Sequence, residues 1–277
     1  MFFRKSSVCV GIIFLMLLTG CGKTDLSIDQ HISNCNKKLT NGGVENLNLV
    51  LNQQYSLSEW CSITSLDLTE QSLTNLPIEI SMLKNLIELN LSINNFESFP
   101  KEILQLNNLD ALNLSWMGLK SIPKEIADLK NLRELDLSHN NFENFPEEIL
   151  HLNNLNTLNL SWMGLKSIPK EIADLKNLRE LGLSSNNFEI FPKEILELKD
   201  LKALNLSSNN FESFPKEILM LNKLNALDLS WNKLTNIPNE INVLKNLIEL
   251  NLSNNNFESF PKEILALSNL KTLYLSG

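Results

Sequence analysis

The chain is poor in several things that would each define a class. Cysteine occurs 4 times in 277 residues, too few for a disulfide-rich secreted scaffold. A polytopic helical membrane protein needs several apolar runs of about 20 residues, and no such run occurs. Glycine is down to 9, dispersed, which leaves no phosphate-cradling loop. Basic residues are outnumbered 24 to 32, and a net charge of −8 with a pI near 5.1 argues against nucleic-acid binding. The three histidines, His31, His139 and His151, share no ligand spacing, so no metal site is expected. There is no serine elbow and no Cys/His pair in the body of the chain, so neither catalysis nor a cofactor is expected. What the chain has in excess is 57 Leu and 40 Asn, about a third of it. At 43% hydrophobic residues it is too apolar for disorder, and two dominant residue types point to a repeated unit.

Residues 1–20 read as a targeting segment. Arg4 and Lys5 form a positive start, and Val8–Leu18 is an uncharged, mostly apolar run too short to span a bilayer. Leu18-Thr19-Gly20-Cys21 follows, and it resembles the lipobox of bacterial lipoproteins. The resemblance implies cleavage before Cys21, diacylglycerol on its thiol and stable membrane anchoring by two or more acyl chains. Loss of Arg4 and Lys5 leaves 22 basic and 32 acidic residues. Gly22 after the acylated Cys is not the Asp that usually retains lipoproteins at an inner membrane, which favours an outer membrane.

From Ile63 the chain repeats every 23 residues as Leu-x-x-Leu-x-Leu-x-x-Asn-x-Leu/Phe-x-x-Leu/Ile/Phe-Pro-x-Glu-Ile-x-x-Leu-x-Asn. Nine full units begin at Ile63, Leu86, Leu109, Leu132, Leu155, Leu178, Leu201, Leu224 and Leu247, and a partial one at Leu270. This resembles the leucine-rich repeat family, and its 23-residue form is similar to the leucine-rich repeat lipoproteins of spirochaetes. The resemblance implies an α/β solenoid, with parallel strands on a concave face and short helical turns on a convex face. Leu89 and Leu91 are two apart and point together into a core. Asn94 is, by the resemblance, a buried ladder residue bonding loop backbone. Pro100 fixes φ to open a helical turn, with Glu102 favourable near its start. Ten strands at ~4.8 Å make an inner sheet about 48 Å long.

Units alternate between a Phe type (Phe96/Phe99, Phe142/Phe145, Phe188/Phe191, Phe211/Phe214, Phe257/Phe260) and a Leu/Ile type (Leu73/Leu76, Leu119/Ile122, Leu165/Ile168, Leu234/Ile237). Residues 114–142 nearly copy 160–188, which suggests duplication of a 46-residue pair, and the alternation slips at 178–223. The organisation read here is 1–20 signal peptide, 21–62 acylated tether and N-terminal cap, and 63–277 repeats. Leu57-Ser-Glu-Trp60-Cys61 looks like the end of the disulfide cap of some extracellular repeat proteins. That implies a Cys35–Cys61 bond; two buried or oxidisable thiols are the alternative. The partial last unit ends after Leu273 and Leu275 without a polar capping segment.

In a repeat protein, scaffold positions recur and binding positions vary. The varying inner positions are the third (including Glu134 and Glu180), the fifth (including Asp136 and Asp228) and the eighth. The eighth reads Glu70, Ile93, Trp116, His139, Trp162, Ser185, Ser208, Trp231, Asn254, so three of the four Trp share one column. Trp is favoured at binding hot spots, yet each could instead complete the packing of its loop. Beside Trp116 and Trp162 the ladder Asn is replaced by Met117 and Met163, each followed by Gly, so that turn needs another way to satisfy its backbone. Gly182, where neighbours carry Asn or Asp, is either a gap for a ligand side chain or simple sequence drift. The expected function is a lipid-anchored binding module, without enzymatic chemistry, for a protein or glycan ligand; a host-surface or matrix protein is one candidate partner. The rival is a periplasmic protein organising the envelope.

Overall fold

The computed structural model describes Cys35 and residues 39–276; the signal segment, Cys21 and the tether lie outside the described residues. Among the described residues two short α-helices lie whole before the repeats, α1 (Asn41–Val50) and α2 (Leu57–Ser62). Thr40 caps α1 by accepting from Gly43 N–H, and Ser56 and Glu59 form a reciprocal capping box on α2. Trp60 is fully buried, with its indole N–H donating to Asn48 Oδ1 at 2.9 Å and its ring edge-on to Tyr55. Cys35 and Cys61 are joined by a disulfide of 2.05 Å. Asn46 donates to Glu79 Oε2 at 2.9 Å and so fastens α1 to the first repeat.

Ten strands of three residues each follow: β1 (Ser65–Asp67), β2 (Glu88–Asn90), β3 (Ala111–Asn113), β4 (Glu134–Asp136), β5 (Thr157–Asn159), β6 (Glu180–Gly182), β7 (Ala203–Asn205), β8 (Ala226–Asp228), β9 (Glu249–Asn251) and β10 (Thr272–Tyr274). They form one parallel sheet in sequence order. The register is the repeat itself: Leu66 lies opposite Leu89 and Leu89 opposite Leu112, a constant offset of 23. The central Leu of every strand then meets a Leu in the next, and the core is a single continuous stack of Leu, Ile and Phe. The strands are short because position eight turns left-handed in every full unit, with φ between 53° and 59°.

After each Pro the chain makes a five-residue 3-10 helix, such as Lys101–Gln105, with a buried Ile at its centre. The Phe/Leu alternation is written into the backbone at these prolines. In Leu-type units ψ at Pro77, Pro123, Pro169 and Pro238 is 144° to 151°. In Phe-type units ψ at Pro100, Pro146, Pro192, Pro215 and Pro261 falls to between 88° and 103°. The larger Phe pair is accommodated by swinging the convex segment. Where two Phe-type units adjoin, a convex groove of about 650 Å³ opens between Phe191, Phe211, Phe214 and Ile237, with Ile190 exposed at its side. The Phe side chains are largely core, but Phe260 in the last full unit is half exposed.

Two asparagine ladders hold the turns. In the buried one, Asn94 Nδ2 donates to Leu68 O and Leu91 O, and its Oδ1 accepts from Leu73 N–H at 2.9 Å. At the Met units the next Asn takes on an extra bond. Asn140 Oδ1 accepts from Met117 N–H at 3.3 Å and Leu119 N–H at 2.9 Å, and Asn186 serves Met163 and Leu165 in the same way. Met117 and Met163 are buried in the space left by the amide. The three units whose ninth residue is not Asn (Gln71, Met117, Met163) also have a second left-handed residue, at Ser72, Gly118 and Gly164. Gly118 and Gly164 therefore meet a φ of 69° that a side chain would oppose. The second ladder is exposed. Asn108, Asn131, Asn154 and Asn177 each donate to a backbone carbonyl 24 residues earlier. Where this column changes to Asp200 and Lys223, the two form an ion pair with each other.

The ladders give an unequal prediction. Asn140→Ala strands two buried N–H donors and removes two carbonyl bonds, for a loss on the order of 3 kcal/mol in urea unfolding. Asn131→Ala removes one exposed bond and should cost less than about 1 kcal/mol. Equal losses for the two would contradict the division into a buried and an exposed ladder.

Candidate functional site

The fifth position faces the inner side of the sheet but is not open. Asp136 is buried; its Oδ1 accepts from Ser138 N–H at 2.8 Å and Ser138 Oγ at 2.6 Å, and its Oδ2 from Asn159 Nδ2 at 2.9 Å. Asp228 repeats this with Ser230 and Asn251. Asn90, Asn113 and Asn205 each accept from the N–H two residues on. Where position five is Asn or Asp, the short polar side chain thus closes the exit of the strand, and the Ser at position seven completes it. Asp136 and Asp228 are turn-closing residues, covered from outside, and burial pushes both carboxyls above their ordinary range. The Gly182 gap is also closed: a Cβ there would sit 2.6 Å from Asn159 Oδ1, so the absent side chain makes room for the neighbouring Asn.

The third position carries the inner face's accessible charge. Glu88, Glu134 and Glu180 stand on β2, β4 and β6, separated by Ala111 and Thr157. Burial raises Glu134 to about 7, with further like-charge push from Asp110, Glu180 and Glu88. Glu180 is also raised, chiefly by burial, with Lys202 pulling the other way. Arg133, the nearest cation in sequence, is held on Asp110 at 3.1 Å. Glu88 accepts from Ser65 Oγ at 3.0 Å.

The eighth position is where the large side chains come out. Trp116, Trp162 and Trp231 are 52%, 57% and 63% exposed. Each sits at a left-handed φ, a conformation that costs a bulky residue roughly 1–2 kcal/mol. Ser185 and Ser208 fill the same column with small side chains, and Asn254 with one that tolerates the left-handed conformation. Trp116 and Trp162 are not isolated. The His139 ring lies between them, with centroids 3.7 Å from Trp116 and 4.8 Å from Trp162 and planes within 19°. Three consecutive units therefore project a Trp–His–Trp stack from the rim of the sheet. Burial between the indoles lowers His139 to about 4, so the ring is neutral at physiological pH. Sequence reasoning placed these residues in one column but missed the stack; the available signal was their occurrence in consecutive units, one strand spacing apart. The fourth Trp, Trp60, is cap core and belongs to no surface. Among the described residues no group of His, Cys, Asp or Glu could hold a metal ion.

The arrangement offers two recognition features: a stacked aromatic rim at position eight, and a row of carboxylates at position three, five residues earlier in each unit and at most ~16 Å away along the strand direction. Both titrations are measurable. The unfolded chain releases the Glu134 proton near 4.5 and the folded chain near 7, so its burden on stability grows as pH rises through that window and stays full above it. Glu134→Gln should raise stability at pH 8, on the order of 1 kcal/mol after solvent screening, and change nothing at pH 4. Equal gains at both pH values would contradict the assignment. His139 has the opposite sense: the neutral ring's contribution is full above pH 6.5 and is lost as pH falls towards 4. An NMR titration of His139 should give a midpoint well below 6.5; an ordinary midpoint would mean the ring is not enclosed.

Comparison with known proteins gives one family. The model of a leucine-rich repeat region matches residues 46–168 and 166–277. A leucine-rich repeat protein of Leptospira interrogans is 42% identical, with a TM-score of 0.56, over 74% of this chain and 64% of that one. The ectodomain of the Arabidopsis thaliana membrane receptor kinase GASSHO1/SCHENGEN3, solved in complex with Casparian strip integrity factor 2, is 34% identical with a TM-score of 0.60, over 77% of this chain and 27% of that one. A Listeria monocytogenes internalin shares the fold, with a TM-score of 0.65 at 22% identity, over 90% of this chain and 70% of that one. This chain therefore spans less than two thirds of the Leptospira and Arabidopsis chains it matches. No curated protein matches it.

Proposed function

The chain belongs to the leucine-rich repeat family, and on that premise we propose that it is a lipid-anchored protein of the bacterial cell envelope that binds another protein through its concave sheet. The observation that carries the reading is the aromatic rim. Three large side chains are exposed in a backbone conformation that disfavours them, where smaller residues of the same chain suffice. Such residues lower stability without filling the core, and Trp supplies large contact area at low entropy cost when a partner covers it. The anchoring half of the proposal rests on Arg4, Lys5, the apolar run and Leu18-Thr19-Gly20-Cys21. The placement proposed is the outer membrane, with a host-surface or matrix protein as one candidate partner if the solenoid faces outward; the module binds and does not catalyse.

Two measurements test this. Cys21→Ala should move the protein from the detergent phase to the aqueous phase in a phase-partition assay and abolish palmitate labelling. Retention of both would remove the lipoprotein reading. Protease added to intact cells should destroy the mature protein while a periplasmic marker survives. Loss only after permeabilisation would instead support a periplasmic protein that organises the envelope.

The rim residues should separate binding from folding. Trp231→Gly should leave the melting temperature unchanged or slightly raised, because Gly suits a φ of 55°. A fall of several degrees would make Trp231 a packing residue.

A further inference from the structure

The concave face joins two features that call for the same chemistry. The first is the stack on the rim. His139 occupies the inner faces of Trp116 and Trp162, which leaves the outer face of Trp162 turned along the column towards Ser185 and Ser208. The next large ring, Trp231, stands three strands on, ~14 Å away, so small serines floor the space between two indoles. A planar cation fits such a face, since a guanidinium over an indole gains from the ring quadrupole as well as from contact. The second feature is the glutamate row. Glu88, Glu134 and Glu180 recur on alternate strands, and the charged groups acting on Glu134 are all carboxylates, those of Asp110, Glu180 and Glu88. Arg133 is engaged by Asp110, and Lys202 relieves only Glu180. At the centre of the row Glu134 thus meets only like charges, a repulsion that an incoming cation would remove.

We propose that the strip from the Glu88–Glu134–Glu180 row to the Trp116–His139–Trp162 rim receives an arginine-bearing extended segment of a partner protein. One guanidinium lies on the glutamates and another on the outer face of Trp162. The two features lie five residues apart along each unit, at most ~16 Å, so one short extended segment running along the strand direction reaches both. The intervening Asp136, Asn159, Ser138 and Ser161 are already bonded to one another or to backbone, so they offer a smooth floor rather than competing anchors. A neutral glycan would use the tryptophans but leave the carboxylate repulsion in place, which is why a basic protein segment is favoured. This inference rests on the concave-binding reading above and adds the partner's chemistry to it.

The test uses the folded full-length mature protein and three probes: a peptide of about twelve residues alternating arginine and serine, its glutamine-for-arginine counterpart, and a neutral oligosaccharide. Binding is followed by indole fluorescence and calorimetry. The arginine peptide should bind, the glutamine peptide should not, and the affinity should fall about tenfold as salt rises from about 50 to about 300 mM. Glu134→Gln with Glu180→Gln should weaken binding at least about fivefold, and so should Trp162→Asn, whose side chain suits the left-handed φ. Glu217→Gln with Glu240→Gln removes the same charge from the convex side and should change nothing. Equal weakening by the convex pair, or full binding by both concave variants, would overturn the proposal as nonspecific charge attraction. Binding of the oligosaccharide through the same tryptophans, with no arginine-peptide binding, would overturn it too, yet leave the concave face standing as a binding surface.

Discussion

Everything in this molecule depends on the buried asparagine amide and the left-handed residue beside it. A parallel strand of three residues cannot end by itself without leaving backbone donors and acceptors inside the core, where each lost bond costs about 1–3 kcal/mol. The amide of Asn94 or Asn140 supplies those bonds to two neighbouring units at once. That holds neighbouring units in register, because only a residue in register can reach the carbonyls of its own turn and the one before. The left-handed residue turns the chain out of the sheet just before the amide. Position eight is therefore both the hinge of the scaffold and the most prominent point on the rim, and any large residue there is presented outward by the same geometry that closes the core.

The Met-Gly units show how far that device can be altered. With Met117 in place of the amide, Asn140 stretches one acceptor over two donors, and Gly118 takes a second left-handed turn. Gln71 with Ser72 shares the second left-handed turn without glycine, at a φ of 55° on a residue with a side chain, and Asn94 there accepts from Leu73 N–H. Two of the three units built this way carry a rim Trp, and the unit between those two supplies the His that their rings enclose. The local rebuilding and the aromatic stack are thus parts of one 46-residue pattern. The same pattern governs the convex side, where the swing in ψ at proline follows Phe against Leu.

Most of the architecture was legible in the spacing. The 23-residue register, the inward pair Leu89 and Leu91, the proline-started turns and the parallel sheet all follow from which residues recur. The site was legible only in part. The column of Trp116, His139, Trp162 and Trp231 could be read, because position within the unit fixes position on the sheet. Two things could not. Asp136 and Asp228 looked like inner-face charges, and only the short reach to the Ser two residues on shows them spent on the turn. The opening at Gly182 is filled by Asn159, a neighbour 23 residues away. Both misreadings concern how densely adjacent strands cover one another, which a one-dimensional column does not contain. The Cys35–Cys61 bond, by contrast, was implied by the resemblance of residues 57–61 to a disulfide cap, while the Asp200–Lys223 exchange in the outer ladder depends on distances between units.

The central claim is that the rim tryptophans serve a partner and not the core. Oxidative footprinting with residue-level mass spectrometry tests it directly, on the purified protein and on the protein in its native envelope with its partner engaged. The account predicts that Trp116, Trp162 and Trp231 are readily oxidised in the purified protein and protected when the partner is bound, while Trp60 is spared in both. Rim tryptophans as protected as Trp60 in the isolated protein would contradict it, and so would rim tryptophans equally oxidised in the two states.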